Sequence, residues 1–185
     1  MKVAFLAPEG TFTWETAQIV AKERGWPADT EFVPYSTGDE AIAAVDSGEA
    51  DYAVVAVATS LGGELGRVRA AIEAAKHVKV VAEHQRVCHY AVMVRTGTEM
   101  EHVLSVHSAK KALDDCAGWL REHLPDARLV PAPSTGEGAA FVAASHDQSA
   151  AIAPPSAARR HGLLVVAENV EDDPANWTRW AVLGR

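Results

Sequence analysis

Hydroxyl-bearing residues and glycines stand where several apolar runs of the sequence give way to helical patterns. The residues in these positions are Thr11, Thr59, Ser60, Ser134, Thr135 and Gly136. The first N–H groups of a helix have no partner within it, so such positions can bind an anion without a lysine. The pattern favours a carboxylate ligand. The alternative, that each hydroxyl only caps its helix, stays open, and Ser134 with Glu137 has the spacing of a capping box.

Short apolar runs alternate with helical patterns along the whole chain. The predicted strands are Val3–Ala7, Glu31–Tyr35, Tyr52–Val57, Val78–Ala82, Tyr90–Val94, Val103–Val106, Arg128–Val130, Ala150–Ala153, Leu163–Ala167 and Thr178–Leu183. The predicted helices are Thr13–Arg24, Thr37–Ser47, Leu65–Ala75, Lys110–His123 and Gly136–Ala144. This alternation predicts an α/β fold with mostly parallel sheets. Ligands of open α/β sheets bind at the carboxyl ends of the strands, where the hydroxyl residues lie.

The composition excludes several classes of partner. The 185 residues include 17 Lys and Arg against 25 Asp and Glu, a net charge of −8. Nucleic-acid binding needs a basic surface, so we expect no nucleic-acid partner. No apolar run reaches the roughly 18 residues of a membrane span, and Val3–Ala7 is shorter than the core of about 7–15 residues in a signal peptide. We therefore expect a cytoplasmic protein with no membrane partner.

The two cysteines and the remaining motifs give no sign of a cofactor. Cys88 and Cys116 lack the close spacing of a metal or redox pair, which predicts buried free thiols. No metal-ligand cluster and no dinucleotide-binding glycine motif is present, so we expect no metal and no cofactor. Asn176-Trp177-Thr178 matches a glycosylation acceptor, which matters only in a secreted chain.

Segments spread over the whole chain resemble, in order, the catalytic domain of prephenate dehydratase. They are Lys2–Thr13, Phe32–Ser36, Gly48–Tyr52, Val87–Tyr90, Ser134–Glu137 and Ala167–Trp180. The last segment contains Asn176-Trp177-Thr178-Arg179-Trp180, which is similar to the family signature Asn-x-Thr-Arg-Phe.

The resemblance implies a two-lobed fold like that of periplasmic binding proteins, with the active site in the inter-lobe cleft. The first lobe is expected to take residues 1–83 and 167–185, and the second residues 84–166. Family members usually continue into a phenylalanine-sensing ACT domain, which we expect to be absent here. The family also implies a homodimer or tetramer and a small-molecule substrate, prephenate.

The chain departs from the family in the loops expected to surround the substrate. The family reads Pro-Ile-Glu-Asn-Ser-x-Glu-Gly where this chain reads residues 56–63, so that Ala58 and Gly62 replace both glutamates and Thr59 replaces the asparagine. The family sequence Ser-His-Pro-Gln-Ala-Leu corresponds to residues 108–113, which lack the histidine and the proline. The signature phenylalanine is Trp180.

These departures bear on how prephenate would react. A dehydratase couples loss of the ring carboxylate to loss of the C4 hydroxyl, which must leave as water with a donated proton. Non-aromatising prephenate decarboxylases of bacterial natural-product pathways lack the Glu-Asn pair, and Ala58-Thr59-Ser60 resembles their loop. We expect decarboxylation with the C4 hydroxyl retained. The alternatives are a dehydratase that forms phenylpyruvate, an enzyme acting on another cyclic acid, and a catalytically inactive binding module.

The resemblance assigns roles to the candidate residues. The expected catalytic residues are Thr178, Arg179 and His89. The expected substrate-binding residues are Thr11, Thr59, Ser60, Ser134, Thr135 and Gly136. Arg179 matches a substrate carboxylate but could instead make a structural ion pair. His89 could move a proton, and its alternative is a core histidine on a strand.

Overall fold

The computed structural model describes residues 1–185 and divides them into two compact units. Residues 1–87 and 175–185 form the first unit, and residues 88–174 form the second. The sequence-based boundaries, at 83/84 and 166/167, fall earlier. They differ because the strand that ends the first segment continues to Val87, and because the strand Leu164–Glu168 belongs to the second sheet.

Eleven strands and seven helices alternate along the chain. The strands are β1 (Lys2–Leu6), β2 (Glu31–Tyr35), β3 (Tyr52–Thr59), β4 (Gly63–Glu64), β5 (Lys79–Val87), β6 (Ala91–Val94), β7 (Ser105–Ala109), β8 (Arg128–Ala132), β9 (Ser149–Ala153), β10 (Leu164–Glu168) and β11 (Trp177–Gly184). The helices are α1 (Phe12–Glu23), α2 (Gly38–Ser47), α3 (Gly66–Ala74), α4 (Lys110–Asp115), α5 (Ala117–His123), α6 (Thr135–Ala144) and α7 (Pro155–His161). A single 3₁₀ turn covers Met100–His102.

Each unit contains one mixed sheet. The first sheet has the order β2-β1-β3-β11-β5, with β4 added beside β3, and the second has the order β10-β6-β9-β7-β8. Four strand pairs are parallel and five are antiparallel, so the expectation of mostly parallel sheets is wrong. The antiparallel pairs arise because β4 and β11 in the first sheet, and β6 in the second, run against the direction of the other strands.

Local chemistry explains where the helices of the first unit begin. Thr11 caps α1 by accepting a hydrogen bond from the Trp14 N–H. Thr37 and Glu40 form a reciprocal capping box at the start of α2, which satisfies N–H groups that have no partner within the helix. The buried face of α2 packs against the sheet in a core that includes Ile42, Val45, Val55 and Leu183. β3 is covered along most of its length, as its apolar run predicts.

The second unit departs from the prediction in its helices. The single helix predicted over Lys110–His123 is two helices, because the chain leaves helical geometry at Cys116. α7 was not predicted, since its short Ala- and Arg-rich sequence follows a Pro-Pro pair that is typical of a loop; Pro155 instead occupies the helix start, where proline is tolerated. The core of this unit contains Met93, Ala139 and Val142.

Trp180 links the last strand to the first helix. It is 1% exposed, and its indole Nε1–H donates to Thr13 Oγ1 over 3.1 Å. We expect Trp180→Phe to lower the free energy of unfolding by about 1–3 kcal/mol, because it removes this hydrogen bond and part of the buried ring volume. Urea unfolding measures the change. Thr13→Val, which removes only the hydrogen bond, should cost less, and equal stability of W180F and wild type would contradict the account.

His107 makes stability depend on pH. It is 7% exposed on β7, its Nε2 lies 3.0 Å from Ser105 Oγ, and its ring stacks on Phe141 at 4.3 Å between centroids. Burial, then the charge of Arg128, lowers the pKa of His107 from its ordinary value. The unfolded chain therefore binds a proton more readily, and stability present above about pH 6.5 is lost as the pH falls below that value towards the lower pKa of the folded state.

Replacing His107 tests this pH dependence. We expect His107→Gln to flatten the loss of unfolding free energy on going from about pH 8 to about pH 5. Urea titrations at several pH values provide the measurement. His102→Gln is the matched control, because its side chain is 64% exposed and should leave the pH dependence unchanged. If the unfolding free energy of H107Q falls with pH in parallel with that of the wild type, another group controls the loss of stability at low pH.

Candidate active site

Four of the predicted residues of the first unit lie along one edge of its sheet. β1, β2 and β3 run parallel, so their carboxyl ends share an edge, and the antiparallel β11 begins there. Thr178 is paired in register with Thr59 on β3. Thr11 follows β1 at the same edge, and Ser60 follows β3. The structure therefore brings these four residues to the site that strand-end topology predicts.

The hydroxyls at this edge also have local structural partners. Thr59 is 9% exposed, and its Oγ1 accepts from the Gly62 N–H over 2.9 Å, which closes the turn after β3. Ser60 Oγ accepts from the Trp177 N–H over 3.2 Å, while the Ser60 N–H donates to the Trp177 carbonyl over 2.9 Å. Thr11 Oγ1 donates to the Pro8 carbonyl over 3.0 Å in addition to capping α1. Capping and turn closure thus account for part of their hydrogen-bonding capacity.

The end of β3 and the loop after it carry no carboxylate at the two positions where the resemblance expects glutamate. Ala58 is 2% exposed. At Gly62, an added Cβ would meet Thr59 Oγ1 at 2.8 Å, so the turn is closed too tightly for a larger residue without movement of that side chain. Among the acids near this edge, Glu15 in the first turn of α1 makes an ion pair with Arg86, and Glu64, in register with Ala58, makes one with Arg179.

Arg179 lies on the other face of the sheet from Thr178. Adjacent residues of a strand point to opposite faces, and Trp180, two residues after Thr178, contacts α1. The Arg179 guanidinium makes an ion pair with Glu64 and lies 4.0 Å from a Glu83 carboxylate oxygen. These residues line a cavity of about 350 Å³ whose apolar wall includes Ile72. The structure thus provides the structural ion pair that was the alternative for Arg179 and does not bring it together with Thr178.

Arg86 is a candidate that the sequence analysis missed. It is paired in register with Thr178 on the side of β11 opposite to Thr59, and its guanidinium carbon lies 5.7 Å from the centroid of the Phe12 ring. Its ion pair with Glu15 holds it over the start of α1. The signal that would have found it is the length of β5, since the predicted strand ended at Ala82 and left Arg86 without a position in the sheet.

In the second unit, the remaining predicted residues also gather at one edge. β7, β8 and β9 run parallel, and the antiparallel β6 begins where they end. His89 stands just before β6, and Ser134 follows β8 as the cap of α6. Thr135 and Gly136 are buried in the first turn of that helix. Ser134 Oγ accepts from the Glu137 N–H over 3.1 Å, which is one half of the predicted capping box.

His89 is held by a buried carboxylate. Its Nδ1 lies 2.6 Å from Glu171 Oε1, and the other oxygen of Glu171 accepts from the Tyr90 N–H over 2.9 Å. The Glu171 side chain is 2% exposed, whereas that of His89 is 49% exposed. The alternative of a core histidine on a strand is therefore wrong, because His89 precedes β6 and its ring reaches solvent. Glu171 was not predicted, although it lies in the segment that resembles the family.

Other candidate features have simpler roles. The amino groups of Lys110 and Lys111 pair with Asp114 and Asp115, one helical turn further on. Both cysteines are buried free thiols, as predicted, and burial raises the pKa of Cys116. No three His, Cys, Asp or Glu side chains converge to form a metal-binding cluster. None of the helices is long and apolar enough to cross a lipid bilayer.

Comparison with known sequences places this arrangement among known enzymes. The family model for prephenate dehydratase matches residues 3–185. The bifunctional chorismate mutase/prephenate dehydratase of Neisseria gonorrhoeae is 35% identical over 185 residues, which are 100% of this chain and 49% of that protein. The prephenate dehydratase of Mycolicibacterium vanbaalenii is 32% identical over 99% of this chain and 61% of that protein. The chain thus spans about half to three fifths of the length of these relatives.

Comparison with solved structures also finds prephenate dehydratases. The prephenate dehydratase of Arthrobacter aurescens in complex with L-Phe has a TM-score of 0.87 and 29% identity, covering 100% of this chain and 60% of that chain. GqqA, described as a novel type of quorum-quenching acylase, has a TM-score of 0.84 and 25% identity, covering 100% and 64%. An ABC-transporter periplasmic substrate-binding protein from Coxiella burnetii shares the fold alone. Its TM-score is 0.51 and its identity 14%, covering 100% of this chain and 84% of that chain.

These matches confirm the predicted α/β fold of the periplasmic-binding-protein type. The range that the family model matches takes in the segments on which the resemblance rests, from the first strand to Thr178-Arg179. Because the family model covers almost every residue, the chain belongs to the prephenate dehydratase family.

Proposed function

We propose that this chain decarboxylates prephenate without aromatising it and retains the C4 hydroxyl in a dihydro-4-hydroxyphenylpyruvate. The observation that carries the proposal is the end of β3 and the loop after it, where Ala58 and Gly62 supply no carboxylate and Thr59 supplies no amide. Loss of the C4 hydroxyl as water requires a group that orients it and donates a proton. A loop without these groups favours the reaction that leaves the hydroxyl in place.

The reaction balances without a cofactor. The bond between C1 and the ring carboxylate breaks, and carbon dioxide leaves. The electron pair of that bond moves into the ring diene, and a ring carbon takes up one proton. No electron acceptor is needed, and the C4–O bond stays intact. The protein therefore has to bind two carboxylates, keep the hydroxyl from leaving, and deliver one proton.

The first unit is assigned the ring and its hydroxyl. Thr178 is the proposed hydrogen-bonding partner of the substrate, and its register neighbour Thr59 lies beside it. Ser60 fixes the turn next to them through Trp177. Thr11 and the first N–H groups of α1 favour an anion at that helix start. Arg179 makes an ion pair with Glu64. Its proposed contact with the substrate is through one of the two carboxylates.

The second unit is assigned the pyruvyl carboxylate and the proton. Ser134, Thr135 and Gly136 lie at the start of α6, a ten-residue helix whose N–H groups and dipole favour an anion. His89 is the proposed proton source, because it is a partly exposed imidazole at the same edge of the second sheet.

The product of prephenate separates the proposal from its alternatives. We expect the purified chain to release carbon dioxide from prephenate and to yield a product whose NMR spectrum retains the C4 carbinol proton and lacks aromatic signals. A reaction without protein corrects for spontaneous breakdown, and Thr178→Val should slow turnover. Phenylpyruvate as the main product would identify a dehydratase. Thermal stabilisation by prephenate with no product would identify a binding module.

Restoring the amide that the dehydratase loop carries should move the outcome towards dehydration. We expect Thr59→Asn to raise the fraction of phenylpyruvate about tenfold, since one well-placed hydrogen-bonding group contributes about 1.4 kcal/mol to the competing barrier. Thr59→Ser is the matched control, because it keeps the hydroxyl that Gly62 contacts and adds no amide. Liquid chromatography of the products measures the ratio. Equal ratios in T59N and T59S would show that position 59 does not decide the outcome.

A further inference from the structure

We propose that Glu171 is a positioning residue that holds His89 with Nδ1 protonated, so that Nε2 carries the proton delivered to the substrate ring. The inference rests on the proposed decarboxylation and names the group that prepares its proton donor. It stands on a hydrogen-bond arrangement and on burial within the second unit.

The Glu171 carboxylate is fixed at both oxygens. Oε1 lies 2.6 Å from His89 Nδ1, and Oε2 accepts from the Tyr90 N–H over 2.9 Å. The backbone on each side is tied as well, because the Val170 N–H donates to the Tyr90 carbonyl over 3.2 Å. The carboxylate therefore accepts from two consecutive residues and cannot turn away from the imidazole without losing both bonds.

Charge explains why this contact selects one form of the imidazole. A carboxylate that is 2% exposed needs a donor at each oxygen to compensate for lost hydration, and the Nδ1–H of His89 provides one. A carboxylate accepts and cannot donate when ionised, so the proton of the contact belongs to Nδ1. The second ring nitrogen, Nε2, is then the acceptor of the neutral ring and the donor of the imidazolium.

The other charged groups around this part of the unit are engaged elsewhere. Asp115 accepts from Lys111 Nζ over 2.6 Å and from the Tyr90 hydroxyl over 3.3 Å. Asp172 accepts from the N–H groups of Gly118 and Trp119 over 2.7 and 3.0 Å. Glu171 is thus the carboxylate that makes the contact with His89, and it sets the local charge that the imidazole meets.

The proton transfer follows from this geometry. As the C1–carboxylate bond breaks, its electron pair moves through the diene to a ring carbon. That carbon takes the proton from Nε2 of the imidazolium, which becomes a neutral ring that keeps Nδ1–H on Glu171. Solvent reaches the ring, which is 49% exposed, and returns a proton to Nε2 for the next turnover. A histidine that served only to neutralise Glu171 would have no need for this exposure.

Kinetics of Glu171→Gln test the inference. We expect kcat for decarboxylation to fall about 10–100-fold with little change in KM. The substitution disturbs the orientation of the His89 donor and leaves the substrate-binding residues in place. His89→Gln should lower kcat at least as far, and the E171Q/H89Q double variant should be no slower than H89Q alone.

Replacing a second buried carboxylate distinguishes a positioning role of Glu171 from a contribution to stability alone. Asp115→Asn alters another buried carboxylate of the same unit, 9% exposed, that makes no contact with His89. It should lower stability while leaving kcat close to that of the wild type. If D115N and E171Q lower kcat alike, or if E171Q leaves kcat unchanged, Glu171 does not position the donor. Should E171Q fail to fold, the half-exposed His89 still permits H89Q, whose retention of the wild-type kcat would overturn the proposal.

Nitrogen NMR of the histidine ring gives a readout that does not need turnover. For the neutral ring of His89 we expect the signals of the Nδ1–H tautomer in the wild type and a mixture of tautomers in E171Q. If the tautomer is as expected but prephenate is converted to phenylpyruvate, the proposed decarboxylation fails while the positioning of His89 by Glu171 stands. If the wild type shows the Nε2–H tautomer, the positioning fails whatever the product.

Discussion

The pairing of β11 with β3 and β5 is the interaction on which the first unit depends. This strand joins the parallel half of the sheet to β5, and its register sets Thr178 between Thr59 and Arg86. The alternation of the strand then divides its residues between two faces. Thr178 and Trp180 share the face that α1 covers, whereas Arg179 points to Glu64 and Glu83. One backbone register thus decides which side chain can meet a ligand at the strand ends.

In the second unit, buried carboxylates fix the position of the candidate residues, whereas in the first unit the strand register does so. Glu171 and Asp172 are consecutive, and each accepts from backbone N–H groups of a different segment, Glu171 from Tyr90 and Asp172 from the start of α5. Such charge-assisted bonds are stronger than those between neutral groups. They hold the connection before β11 against the start of β6, which is why a half-exposed imidazole at this point can have a defined orientation.

Much of the fold follows from the sequence because local and global signals agree. β2 has the predicted bounds, and the apolar run of β3 is buried as a strand covered on both faces should be. The hydroxyls Thr11 and Ser134 cap the helices that they were expected to begin. The clustering of candidate residues at strand ends was also predictable, since it depends only on the direction of the strands.

The remainder depends on tertiary contacts that periodicity does not encode. The face taken by Arg179 follows from the register of β11, and the position of Arg86 from the extension of β5 beyond its apolar half. The mixed sheets arise because some strands run antiparallel to their neighbours, which the alternation of strands and helices along the sequence does not reveal. The ring of His89 is held by Glu171, a partner 82 residues away in the chain.

The central place of β11 also has a consequence for biosynthesis. All the strands of the second sheet lie within residues 88–174, so that unit can assemble as soon as this stretch has left the ribosome. The first sheet, in contrast, has a gap between β3 and β5 until residues 177–184 emerge. Its nascent form therefore exposes two unpaired strand borders while residues 88–174 are being translated, and these borders are paired only once β11 has emerged.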